Sequence, residues 1–197
     1  MINSVAVTLL AASLGLAASP ANAETGFLDR VVTIGTAPHR YQVYVPADFS
    51  AAKTWPVIVY LHGGGAQGLD ALLPTVGGLA NDIRAHREAF PTVALFPQAS
   101  PNATWSQPDM QELVLRELDQ TMAEFHGDPA RIYLAGYSMG GVGAYRMAYR
   151  WPQKFAALVV VQCNPSWFAI AKSPRLAPLV CRVNDEDPIN KVPPAAT

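Results

Sequence analysis

The sequence predicts an α/β fold, a mainly parallel sheet with helices on both faces and an antiparallel hairpin at its N-terminal side. Three observations carry this. Short runs of β-branched, aromatic and aliphatic residues at 56–61, 92–96, 131–135 and 155–161 read as buried strands. Segments with helical periodicity separate them, and strands alternating with helices make a parallel sheet. Glycine-rich turns follow two of the strands directly, after Leu61 and after Ala135, where chain must pass close to chain.

Taken in order, the first 23 residues stand apart. An apolar stretch over 5–18 leads into Ser19-Pro20 and then Ala21-Asn22-Ala23, a small-x-small cleavage pattern. This reads as a signal peptide cut after Ala23, which makes the protein secreted or periplasmic, although no Lys or Arg precedes the apolar stretch. The stretch is too short to span a bilayer comfortably, so no stable membrane anchor is expected. Residues 24–190 read as one domain and 191–197 as a disordered tail. The 197 residues are 50% hydrophobic and 15% charged with net charge −1, enough apolar material for a core and no electrostatic case for nucleic acid.

Residues 27–34 and 40–45 read as a hairpin around Gly35-Thr36-Ala37-Pro38. Within 69–90 a helix is expected in the second half, from Val76 onward. The loop 97–105 leaves the sheet at the same edge as the glycine-rich turns, so Trp105 either lines a pocket or packs. Ser106, with Asp109 three residues on, reads as the cap of a helix whose Met110, Leu113, Val114, Leu118, Met122 and Phe125 form a core stripe. Gly127 ends that helix, and His126 falls at the opposite edge of the sheet, which makes it structural. Trp151-Pro152 breaks the chain before the strand at 155–161, and 178–183 is a last strand. Cys163 and Cys181 fall on or near adjacent parallel strands, where bridging geometry is poor. Their pairing stays open. Neither has metal-site spacing, and no cofactor is expected.

The chemistry sits at Gly136-Tyr137-Ser138-Met139-Gly140, a Gly-x-Ser-x-Gly set between a strand and a helix. Such a turn lifts a serine hydroxyl clear of the sheet. It also aims backbone N–H groups at the helix start, beginning with Met139, toward a developing oxyanion. The second motif is His62-Gly63-Gly64-Gly65 after the strand at 56–61. In hydrolases this loop supplies the other oxyanion N–H. A phosphate loop is excluded, because no Gly-Lys-Ser/Thr follows. His62 itself reads as shaping the loop rather than acting as a base.

These motifs, with Asp128-Pro129-Ala130-Arg131-Ile132-Tyr133-Leu134-Ala135 before the elbow and Trp151-Pro152-Gln153-Lys154-Phe155-Ala156-Ala157 after it, resemble the α/β-hydrolase superfamily. Within it they look like the secreted esterases related to polyhydroxybutyrate depolymerases, feruloyl esterases and the "predicted peptidase" group. The resemblance implies a serine esterase acting on a small-molecule or polymeric ester, with Ser138 as nucleophile and Met139 with Gly63 and Gly64 as oxyanion hole. Tyr137 and Trp105 are the candidates for substrate contact. The acid position falls on Asp187, with Asp185 as runner-up, although the family's His-Gly pair is replaced here by Val183-Asn184; a solvated acidic loop is the other reading. The family order is Ser, acid, His, yet His39, His62, His86 and His126 all precede Ser138. The resemblance therefore implies a chain lacking the last strand, helix and His loop, and catalytically crippled as it stands. The rival readings are a serine peptidase of prolyl-oligopeptidase type and a non-catalytic, hydrolase-like binding domain.

Overall fold

The computed structural model describes residues 24–161 and the backbone of strand 179–182. The expected signal peptide, Cys163, Asp185, Asp187 and the tail lie outside the described residues. A seven-stranded sheet runs in the order β1-β2-β4-β3-β5-β6-β7. Strands β1 (Gly26–Ile34) and β2 (Ala37–Val45) form the hairpin, and β2 also pairs antiparallel with β4 (Val93–Phe96). From β4 onward the sheet is parallel, through β3 (Trp55–Leu61), β5 (Gly127–Tyr137), β6 (Ala157–Val161) and β7 (Leu179–Arg182). The α/β-hydrolase fold expected from the sequence is the fold observed.

Alternation along the strands decides what each face buries. In β3, Val57, Val59 and Leu61 face one side and are fully buried, while Ile58 and Tyr60 face the other and are half-buried. The first side packs under α2 (Pro108–Glu124) and α3 (Met139–Arg150) in one large core cluster. Leu113, Val114 and Leu118 of α2 each contribute about 1.5–3 kcal/mol by that burial. On the other side, the short α1 (Leu79–Ala85) covers β2 and β4 with Ala80 and Ile83, against Tyr44, Ala94 and Phe96. Among the described residues it leaves β5 and β6 open on that side. A groove of about 450 Å³ runs along that face, lined by Ile58, Tyr133, Ala135, Ala157, Val159 and Val161 among others.

Two expectations need correction. The cap of α2 is Gln107, not Ser106, with Pro108 at the first helical position. Proline's fixed φ suits that place, and the Gln107 side chain turns back to accept from Thr104 N–H at 2.8 Å. The helix within 69–90 is also shorter than expected, because Pro74, Gly77 and Gly78 delay it to Leu79. Gly78 sits at φ 57°, where a side chain would in addition strike Tyr60.

One buried carboxyl group stands out in α2. Glu117 is fully buried, and neither carboxyl oxygen has a hydrogen-bond partner among the described residues. Burial holds its pKa well above the ordinary 4.5. The folded state therefore keeps a proton that the unfolded chain releases above about pH 4.5. Stability is full below that pH and falls by about 1.4 kcal/mol per unit as pH rises, until the folded carboxyl itself ionises. Glu117→Gln removes the titration. Urea midpoints at pH 5 and pH 8 are expected to diverge in the wild type and to converge in the variant. Identical pH slopes in the two proteins would refute this account.

Candidate active site

Strand β5 ends at Tyr137 and α3 begins at Met139, so Ser138 alone makes the turn. Its backbone sits at φ 52°, ψ −116°, a strained region that costs about 1–3 kcal/mol for a side-chain-bearing residue. Neighbouring glycines allow the turn to be that tight. A Cβ on Gly140 would stand 1.9 Å from Leu61 O, and one on Gly136 2.2 Å from Gly140 O. The end of β6 holds the serine in place, Ser138 N–H donating to Val161 O at 2.9 Å. That N–H is therefore engaged. The bond from Val142 N–H to Ser138 O, 3.2 Å, opens the helical ladder, and the N–H groups before it, starting at Met139, have no carbonyl one turn earlier to meet. Ser138 thus stands exposed at the positive end of α3.

The second wall comes from the end of β3. Gly63 rests on the elbow: a Cβ there would lie 3.0 Å from the Tyr137 ring and 3.6 Å from Ser138 Cβ. Gly64 and Gly65 open a short 3₁₀ turn and face open space. His62 fixes this loop from inside. Its Nε2 accepts from Ala99 N–H at 3.0 Å, which assigns the proton to Nδ1, and Nδ1–H donates to Gly63 O at 2.6 Å. Burial lowers its pKa and the Gly63 bond raises it by less, so the ring is neutral near pH 7. Both nitrogens are committed to the loop.

Trp105 does not line the cleft, contrary to its reading as a substrate-contact residue. It is fully buried, and its Nε1–H donates to His62 O at 2.9 Å. Its ring stands edge-on to the imidazole, centroids 4.9 Å apart. Gly143 of α3 leaves it room, since a Cβ there would fall 2.1 Å from Trp105 Cβ. Tryptophan buried with its N–H satisfied is a support under the loop. Tyr137, in contrast, is 41% exposed and lines a cleft of about 220 Å³ with Tyr60, His62, Gly63, Leu73 and Gly78.

Two residues that shape this cleft escaped the sequence reading. Gln98, buried just beyond β4, staples the segment between the glycine loop and α1. Its Nε2 donates to Ala66 O at 3.1 Å and Asp70 Oδ1 at 3.2 Å, and its Oε1 accepts from Ala71 N–H at 2.7 Å. A polar residue two positions after an all-apolar strand, beyond Pro97, was the available signal. Tyr60, read only as strand, supplies the cleft floor, where burial pushes its hydroxyl pKa up. Among the described residues, no group of three or more His, Cys, Asp or Glu is placed to hold a metal ion. No described helix is long and apolar enough to cross a membrane.

The Esterase family model matches residues 36–191, most of the chain and the whole of this site. The chain belongs to the Esterase family. The chain is 29% identical over 127 residues to a pimeloyl-[acyl-carrier protein] methyl ester esterase of Aeromonas hydrophila, covering 64% of this chain and 44% of that protein. Among solved structures it is similar to a thermostable esterase, with a TM-score of 0.72 and 25% identity, over 83% of this chain and 48% of the other. An S-formylglutathione hydrolase from Staphylococcus aureus shares the fold at TM-score 0.55 and 17% identity, over 72% of this chain and 60% of its own. The chain thus spans about half the length of the relatives first matched.

Proposed function

We propose that this esterase-family chain hydrolyses carboxylic esters by acyl transfer to water, through an acyl-enzyme on Ser138. The observation that carries the reading is the strained backbone of Ser138 at the head of α3 with Gly63 packed against it. A binding module has no use for that strain, whereas a nucleophile does. In the reaction, Ser138 Oγ attacks the acyl carbon and yields its proton to solvent water. The alcohol leaves with a proton, and water repeats the sequence on the acyl-serine to release the acid and restore the hydroxyl. The transient oxyanion would face Met139 N–H and an N–H from residues 63–65, each such donor contributing about 3 kcal/mol to transition-state stabilisation. Asp187 is proposed to stand at the family's acid position, on the strength of resemblance. The protein is further proposed to be exported, with cleavage after Ala23.

Incubation with p-nitrophenyl acetate tests the nucleophile. Nitrophenolate leaves far more readily than the serine alkoxide does, so deacylation is the slower half-reaction and an acetyl adduct is expected to accumulate on the peptide bearing Ser138. It is expected to be absent in Ser138→Ala. An adduct that survives this substitution would overturn the assignment, as would nitrophenol release from folded protein with no adduct on Ser138. Cleavage of a peptide panel but not of esters would favour the peptidase reading instead.

A further inference from the structure

Residues 66–78 form a loop that is tightly built and yet wears its apolar side chains outward. Leu69 is 68% exposed, Leu72 54%, Leu73 44% and Val76 66%, beside the 41% of Tyr137 across the cleft. Only two other large hydrophobic residues, Val31 and Tyr149, are comparably exposed among the described residues. The exposure is not looseness. Gln98 holds the start of the loop by three hydrogen bonds. Asp70 Oδ1 accepts from Leu72 N–H at 2.9 Å. The buried Thr75 hydroxyl donates to Gln42 Oε1 at 2.7 Å, and Arg84 donates to Thr75 O at 2.5 Å. A backbone fixed this firmly, displaying adjacent apolar side chains in water, marks a contact surface.

The position of the surface says what it contacts. The loop frames the cleft at both ends, Ala66 on one side and Gly77 and Gly78 on the other, with Leu73 reaching into it opposite Tyr137 and Gly63. Between Gly63 and Asn81 the sequence carries one ionisable residue, Asp70, and its carboxylate is engaged within the loop. The loop itself offers no cation to a phosphate, a carboxylate or an anionic membrane, and the neighbouring Arg84 is turned to Thr75 O and the Phe27 ring.

We infer that Leu69, Leu72, Leu73 and Val76 form an apolar lip that seats the chains of a neutral, aggregated ester and delivers its carbonyl to Ser138. The inference rests on the ester reading of that serine and adds the substrate class, water-insoluble esters of apolar acids. The lip lies flat on the aggregate, and Leu73 and Tyr137 guide one acyl chain into the cleft. A small soluble ester uses the cleft alone.

Flotation with emulsified trioctanoylglycerol droplets tests the lip without requiring turnover. Wild type and Ser138→Ala are expected to float with the droplets equally. Combined Leu69→Ser, Leu72→Ser and Val76→Ser is expected to lower the bound fraction at least tenfold with the thermal midpoint retained, and Leu72→Ser alone, a milder change, to lower it severalfold. Failure of wild type to float, or undiminished flotation of both variants, would overturn the inference. So would tighter binding to phosphatidylglycerol vesicles than to the droplets. A dimer in sedimentation velocity that the serine substitutions dissociate would overturn it too, since the lip would then join two copies. Flotation without an acetyl adduct on Ser138 refutes the proposed chemistry and leaves the lip standing; an adduct without flotation does the reverse.

Discussion

Turnover of p-nitrophenyl acetate by the 197-residue chain is expected to fall on the order of a million-fold below the roughly 10 per second of an ordinary enzyme. The reason is the base. All four histidines precede Ser138 in this sequence, and each has another place in the fold. His62 has both ring nitrogens engaged, by Gly63 O and Ala99 N–H. His126 lies at the start of β3, its backbone carbonyl accepting from Trp55 N–H, at the edge opposite the elbow. His39 pairs with Val32 in the outer hairpin, and His86 terminates α1. A serine hydroxyl without a base is a weak nucleophile, and what remains is the roughly thousand-fold over water that an oxyanion hole and binding supply. Added imidazole is expected to accelerate turnover by the wild type and not by Ser138→Ala. A rate near 10 per second that Ser138→Ala abolishes would refute this, and His62→Ala would then identify the base.

Gly140→Ala is expected to cost more than about 4 kcal/mol, enough to unfold a domain of ordinary stability. The added methyl would sit 1.9 Å from Leu61 O and 2.7 Å from His62 O. Both are backbone atoms at the end of the central β3, where no flexible side chain can give way. Relief requires α3 to move off the sheet, and with it the packing of Ala144, Met147 and Ala148. Gly64→Ala is the control in the same motif set, because a Cβ there meets nothing within 4 Å. Urea denaturation of the two variants separates them. A Gly140→Ala protein with a wild-type midpoint would show that the close approach of α3 to β3 is not as drawn.

The two motifs were legible because steric necessity wrote them. Gly136 and Gly140 are required wherever a strand turns into a helix over one serine, and that requirement shows in any single sequence. The strands were legible because β-branched runs such as Val57-Ile58-Val59 have few other uses. What stayed hidden depends on contacts between distant residues. Trp105 was ambiguous because an aromatic beside a catalytic loop can face in or out, and only its bond to His62 O, 43 positions away, decides. Gln98 reaches back 27 to 32 positions to hold the lip, which no periodicity records. The cap of α2 was misplaced because Ser106 is the better cap by residue type, whereas Pro108, suited to the first helical position, puts the boundary at Gln107.

The face over β5 and β6, open among the described residues, bears on how the folded state can be recognised at the bench. The 450 Å³ groove there, walled by Ile58, Tyr133, Ala157 and Val159, is wide and apolar enough to take up an anilinonaphthalene dye. Bright dye fluorescence, the usual mark of a loosened, molten chain, is therefore expected from the native protein too. Fluorescence that appears before any loss of the near-ultraviolet signal of Trp55 and Trp105, both packed in the opposite cluster, would report the groove and not disorder. Preparations of this protein are then better judged by the cooperativity of their unfolding than by their darkness to dye.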